Sequence, residues 1–175
     1  LFNTFNTLYG ISLQYPERTP DMIMQVSQLM RYQVENGSKE LVSIEDEIAF
    51  LSSYIQLEKE RVGYRCDIQY TYDFDESQNY KIAPMLLISF IENAFKHGAC
   101  TIENCFVTIR IQVKENRLFL NVANSIPKKK KAVISTKIGL KNTKERLEII
   151  YPEKHKLEIT ETENNFNVNL EIELN

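Results

Sequence analysis

The sequence predicts an α+β fold: a two-layer α/β sandwich preceded by an N-terminal helical segment. Three observations carry that reading. Through residue 61 the apolar residues recur at helical spacing, and from Ile68 onward they alternate with period two. The order after residue 62 reads β-α-β-β-loop-α-β-β. Strands joined mostly by hairpins leave two helices to cover one face of a sheet. The chain therefore divides into helices over 1–61 and a sandwich over 62–175. With 175 residues, 43% hydrophobic and 26% charged, it has ordinary globular composition, which excludes wholesale disorder. A net charge of −3 excludes an overall basic, nucleic-acid-binding surface. No apolar run approaches the ~18 residues that span a bilayer. Cys66, Cys100 and Cys105 are odd in number and lack CxxC spacing, which speaks against a disulfide scaffold or zinc site and fits a reducing cytosol.

The first helix is already under way at residue 1. Apolar residues at 1, 2, 5, 8 and 9 keep its rhythm with no Met and no cap ahead of it, which reads as a helix cut from a longer protein. Pro16 and Pro20 break it. Thr19-Pro20-Asp21 then offers an N-cap, an N1 proline and an acidic first turn. A second helix over 20–34 carries Ile23, Val26, Leu29, Met30 and Val34 on one side, and Asn36-Gly37 stops it. Ser43-Ile44-Glu45-Asp46 resembles a capping box and opens a third helix that runs to about 61. Its stripe of Ile44, Ile48, Leu51 and Ile55 is widened by Phe50, Tyr54 and Leu57, so more than one neighbour should bury it.

Ile68, Tyr70, Tyr72 and Phe74 then mark a half-buried strand, and residues 84–97 read as a very apolar helix. Val107, Ile109, Ile111 and Val113 alternate, Glu115-Asn116 turns the chain, and Leu118, Leu120 and Val122 alternate again: a hairpin. Residues 125–137 have no apolar period and contain Pro127 and the lysines at 128–131. A helix over 140–151 and strands over 156–162 and 166–174 complete the chain.

Three features could carry chemistry. Glu92-Asn93-Ala94-Phe95-Lys96-His97-Gly98 ends the apolar helix, and Asn93 shares a side with Lys96 (i, i+3) and His97 (i, i+4). An amide oxygen, an ammonium and an imidazole on one side can hold a metal–phosphate group together. Composition leaves an equal alternative, in which Lys96 and His97 complement the helix dipole and Gly98 is a C′ cap. The second feature is Gly139-Leu140 at the start of a helix, where free N–H groups suit a phosphate, although a glycine before a helix is common. The third is Asn124-Ser125 leaving a strand, which either recognises a ligand or begins a turn.

Taken together these features resemble the sensor histidine kinases of the LytS/YehU type, whose ATP-binding domain is of the GHKL (Bergerat) type. Ile82-Ala83-Pro84-Met85-Leu86-Leu87 followed by residues 92–98 looks like that family's N box. Ile138-Gly139-Leu140-Lys141-Asn142-Thr143-Lys144-Glu145-Arg146-Leu147 with Tyr151-Pro152 looks like its GLxNxxxRLxxxYP segment. Leu29-Met30-Arg31-Tyr32, residues 47–54 and Glu58-Lys59-Glu60-Arg61 match the helices leading into the domain, and Leu1-Phe2-Asn3-Thr4-Phe5-Asn6 looks like the stretch after the phosphoacceptor histidine.

The resemblance implies a cytoplasmic ATP- and Mg²⁺-binding region, with part of the dimerisation helices, of a membrane-anchored kinase. Such a kinase moves the γ-phosphate to its own histidine and then to a response regulator, here one with a LytTR-type DNA-binding domain. By position, Asn93 would bind Mg²⁺, and Lys96 and His97 would lie near phosphates and sugar. Asn124 would face adenine N6, residues 125–137 would form the ATP lid, and Gly139 and Leu140 would offer N–H groups to the phosphates. Phosphoryl transfer asks mainly for positioning and charge neutralisation, which suits this sparse set.

Three departures stand beside the match. Asn124 replaces an aspartate, exchanging a charge-assisted hydrogen bond for one weaker by ~1 kcal/mol. Lys137 replaces a glycine that permits φ > 0 and close phosphate approach. No histidine precedes His97, so the acceptor is expected about two residues before Leu1 and this chain should not autophosphorylate. The first two departures motivate a rival reading, a degenerate-site domain acting as a dimeric signalling scaffold. A nucleic-acid binder using the lysines at 128–131 is weaker still, because no aromatic residues interleave with them. The apolar faces of the first two helices lack obvious partners in the chain and predict a homodimer.

Overall fold

The computed structural model describes residues 2–75, 78–99, 105–126 and 138–174. Three helices come first: α1 (Phe2–Gln14), α2 (Thr19–Asn36) and α3 (Ile44–Val62). A mixed five-stranded sheet with two more helices follows. In chain order the remaining elements are β1 (Val42–Ser43), β2 (Cys66–Asp73), β3 (Lys81–Ile82), α4 (Ile88–Gly98), β4 (Cys105–Lys114), β5 (Arg117–Ser125), α5 (Ile138–Ile150), β6 (His155–Glu161) and β7 (Asn165–Glu173). The large sheet has the order β2-β4-β5-β7-β6, with β2 parallel to β4 and every other pair antiparallel. The two-residue strands β1 and β3 pair by themselves and were not legible in the sequence.

Register places the alternating apolar residues in continuous rows. Tyr70, Ile109, Val122, Val168 and Ile159 form one row, and Tyr72, Ile111, Leu120, Leu170 and Leu157 the next. The central residues of these rows are buried, with α4 packed over β4 and β5 and α3 against β2. The opposite face is polar, with Asn121 donating to Asn167 and Asn169 at 2.9 and 2.7 Å. This is the α/β sandwich the alternation predicts. Glu115 and Asn116 both take positive φ (52° and 61°), the geometry of a tight hairpin turn matched to strand twist.

The helices depart from expectation in three places. The α2 helix is preceded by a single 3₁₀ turn, Pro16–Arg18, and Thr19 lies inside it rather than capping it. Its buried side is Met22, Val26 and Leu29, whereas Ile23, Met30 and Val34 are exposed. The expected stripe was wider than the face α3 covers. The helix predicted from residue 84 begins only at Ile88, because Met85 is left-handed (φ 54°) and interrupts the run. A non-glycine residue adopts that conformation at a cost of ~1–2 kcal/mol, so its surroundings must impose it. By contrast, Ser43 caps α3 as expected, its Oγ accepting from the Asp46 N–H at 3.1 Å. The α3 stripe of Ile44, Ile48, Leu51 and Ile55 is buried throughout. Among the described residues no helix is long and apolar enough to cross a membrane.

Candidate functional site

The C-terminal half of α4 carries Asn93 and His97 half-buried and Lys96 exposed, on a helix whose other face (Ile88, Ile91, Ala94, Phe95) is core. The helix ends on Gly98, and the reason for a glycine there is not the one composition suggests. The capping residue is Ala99 (φ −82°), and Gly98 is the last helical residue. A Cβ on Gly98 would lie 2.4 Å from Asn124 Cβ and 2.9 Å from its Cγ and Nδ2. The missing side chain lets α4 close onto β5.

Asn124 lies on the inward-facing row of β5, opposite Val107 on one side and Phe166 on the other, and is fully buried. Its Nδ2 donates to the Ser125 carbonyl at 2.9 Å, but its Oδ1 has no hydrogen-bond partner. A buried acceptor left unmade costs ~1–3 kcal/mol, and Glu47 Oε1 is left in the same state. Beside it, Ser125 joins three elements: its Oγ accepts from the Phe106 N–H (3.1 Å) and donates to the Gly98 carbonyl (3.2 Å). The tightest part of the site is therefore the junction of α4 and β5, two elements whose motifs are separate in the sequence.

Gly139 lies exposed in the first turn of α5, where a Cβ would meet no atom within 4 Å, and Leu140 is half-buried against the core. The Gly139 carbonyl accepts from Thr143 Oγ1 at 2.9 Å. Lys137 and most of the expected lid, residues 127–137 with the lysines at 128–131, lie outside the described residues.

A polar cluster behind the site was not anticipated from the sequence. Glu47 of α3 is wholly buried, and its Oε2 accepts from the Tyr32 hydroxyl (2.7 Å) and the Met85 N–H (3.0 Å). Arg146 of α5 donates to the carbonyls of Pro84 (2.7 Å) and Met85 (3.3 Å), and the Ala83 N–H donates to Tyr151 Oη at 2.9 Å. Burial pushes the Glu47 carboxyl above its ordinary value, against the pull of those donors and of Arg146. One signal was available: Glu47 falls on the apolar stripe of α3, between Ile44 and Leu51.

The fold has counterparts among known proteins. Residues 1–66 match the family described as histidine kinase. Over 170 residues the chain is 30% identical to the sensor histidine kinase YpdA of Escherichia coli (strain K12), covering 87% of this chain and 28% of that protein. The chain is thus similar in sequence to sensor histidine kinases. It also shares the fold of the catalytic domain of histidine kinase ThkA, with a TM-score of 0.54, 15% identity, and coverage of 76% of this chain and 93% of that one. The structure of ThkA in complex with the response regulator protein TrrA matches with a TM-score of 0.51 and 16% identity, covering 97% and 57% of the two chains. The sandwich is thus the histidine kinase catalytic-domain fold. The chain spans little more than a quarter of YpdA, so its activity within a whole protein is a matter of proposal.

Proposed function

We propose that this chain is the ATP-binding region of a two-component sensor histidine kinase of the LytS/YehU type, with residues 62–175 as a GHKL nucleotide-binding domain and 1–61 as part of the dimerisation and linker helices. The observation that carries the reading is the unpartnered Oδ1 of Asn124, fully buried where α4 closes on β5 through Gly98. An exocyclic amine such as adenine N6–H₂ is the donor that this acceptor lacks. Asn93, Lys96 and His97, about one helical turn or less apart on α4, supply an oxygen ligand for Mg²⁺ and positive charge for phosphates. Gly139 and Leu140 add N–H groups at the start of α5.

Bound Mg·ATP would supply the transferable γ-phosphoryl group. The chain's own part is to orient the nucleotide through Asn124, hold the metal through Asn93 and neutralise charge through Lys96. Helices α1–α3 contain no histidine, so the acceptor imidazole comes from outside them and these residues alone do not autophosphorylate. The exposed Ile23, Met24, Met30 and Val34 on α2 suit a second copy of the chain, giving the homodimer in which such an acceptor is presented. A response regulator, one with a LytTR-type DNA-binding domain, is the downstream partner, and membrane attachment is through other segments of a parent protein whose kinase region is cytoplasmic.

The substitution of Asn for Asp at 124 favours a second reading, a dimeric scaffold whose nucleotide site has decayed. Calorimetric titration with ATP, with and without Mg²⁺, separates the two. Mg²⁺-dependent saturable binding supports the kinase reading, and no heat at millimolar ATP supports the scaffold.

A further inference from the structure

Glu47 is a fully buried carboxylate that no part of the nucleotide-site reading uses. It joins elements far apart in the chain. Its Oε2 accepts from Tyr32 on α2 and from the backbone N–H of Met85 in the segment leading into α4. The same segment is also held by Arg146, whose two terminal nitrogens donate to the Pro84 and Met85 carbonyls. Tyr151, just beyond α5, accepts from the Ala83 N–H. Every polar backbone group named at 83–85 is thus bound by a side chain from α3 or from the α5 region. Between them sits Met85, in the left-handed conformation that an unconstrained methionine avoids. The clamp explains that conformation, and the conformation sets where α4 begins.

Resting on the nucleotide-binding reading above, we propose that Glu47 and Arg146 are positioning residues for the nucleotide site, clamping the Pro84–Met85 turn so that α4, with Asn93, and α5, with Gly139, keep a fixed relation. Tyr32 connects this clamp to the helical segment. Its ring stacks on Phe50 (4.4 Å between centroids) while its hydroxyl reaches Glu47. A shift of α2 along or around its axis withdraws that hydroxyl and leaves a buried carboxylate with one donor fewer. The turn, and with it the spacing of the ligand groups, then relaxes. Packing of the N-terminal helices is read in this way at the nucleotide site, with no residue of those helices touching the ligand.

The experiment uses the full chain and the variants Tyr32→Phe, Arg146→Ala and their double. Tyr32→Phe keeps the stacked ring and removes one oxygen, so it folds even where Arg146→Ala does not. Two readouts are taken: Mg·ATP affinity by calorimetry, and amide hydrogen exchange without nucleotide. Tyr32→Phe is expected to weaken Mg·ATP binding by about 3- to 10-fold, the range of coupling through a packed network. The double variant is expected to lose less than the product of the two single effects, because both act on one turn. Exchange in residues 93–98 of α4 and 139–143 of α5 is expected to rise in Tyr32→Phe. Exchange changes confined to α2 and α3, or a folded Tyr32→Phe with unchanged affinity, overturn the proposal, as does multiplicative loss in the double variant. Should the unsubstituted chain bind no nucleotide, the function proposed above fails, and the exchange pattern alone decides whether the clamp positions α4 and α5.

Discussion

Gly98→Ala tests the α4–β5 junction with one methyl group. The added Cβ would meet Asn124 Cβ at 2.4 Å and Cγ and Nδ2 at 2.9 Å. Carbon pairs pack best at about 3.5–4.0 Å, so α4 must retreat by roughly 1 Å or Asn124 must leave its place. Neither partner is the free end of a flexible side chain, since Asn124 is fully buried and its Cβ is fixed by β5. Overpacking of this kind costs ~1–3 kcal/mol. Opposing it, alanine is favoured over glycine within a helix by up to ~1 kcal/mol, and by less at the final residue. The net loss is ~1–2 kcal/mol, which for a chain of this size lowers the melting temperature by about 2–8 °C. Circular dichroism melting measures it, and calorimetry on the same variant should show weakened Mg·ATP binding because Asn124 is displaced. Pairing it with Asn124→Gly removes the atoms the methyl strikes, so the cost of Gly98→Ala should shrink in that background. A Gly98→Ala chain that melts at or above the unsubstituted one would refute the argument and return Gly98 to the role of a simple helix terminator.

Asn124→Asp should lower the melting temperature of the nucleotide-free chain, since it buries a charge with no added donor, and tighten ATP binding by about 5-fold through a charge-assisted hydrogen bond; calorimetry showing equal or weaker binding counts against Asn124 as the base-recognising residue. Asn93→Ala should abolish the Mg²⁺ dependence of ATP binding while leaving the fold intact, and titrations with and without Mg²⁺ that still differ would show that another residue holds the metal. The folded-state pKa of Glu47 lies above its ordinary value because of burial, so the native chain holds that proton where the unfolded chain has lost it. Its contribution is therefore full below the ordinary carboxylate pKa and is lost as pH rises through the raised one. Urea unfolding of the unsubstituted chain and Glu47→Gln from about pH 4 to about pH 8 should show the difference moving in the variant's favour as pH rises, and a difference flat in pH would mean that Glu47 titrates normally.

Much of the fold follows from local pattern. The alternation at 107–113, 118–122 and 166–174 could only be satisfied by strands with one face buried, and the register rows bear it out. Ser43 and Asp46 make the cap their spacing predicts, and Glu115-Asn116 makes the turn. The placement of the candidate residues on α4 was legible as well: Asn93 and His97 share a helix side because of the 3.6-residue repeat, whatever the rest of the chain does. What periodicity determines is which atoms lie together within one element. Which elements meet depends on contacts between residues far apart in sequence, and no single window contains them. Thus the parallel pairing of β2 with β4, the short β1–β3 pair, and the narrow buried face of α2 were decided only in three dimensions. The same holds at the site. By its neighbours Gly98 is a cap, and only the fold brings Asn124, 26 positions later, beneath it. By its neighbours Glu47 is one more charge on a helix, and only the fold buries it. Their roles arise where close packing leaves no room for a methyl group at one and strips solvent from a carboxylate at the other. Steric exclusion and desolvation of that kind exist only once the chain has folded.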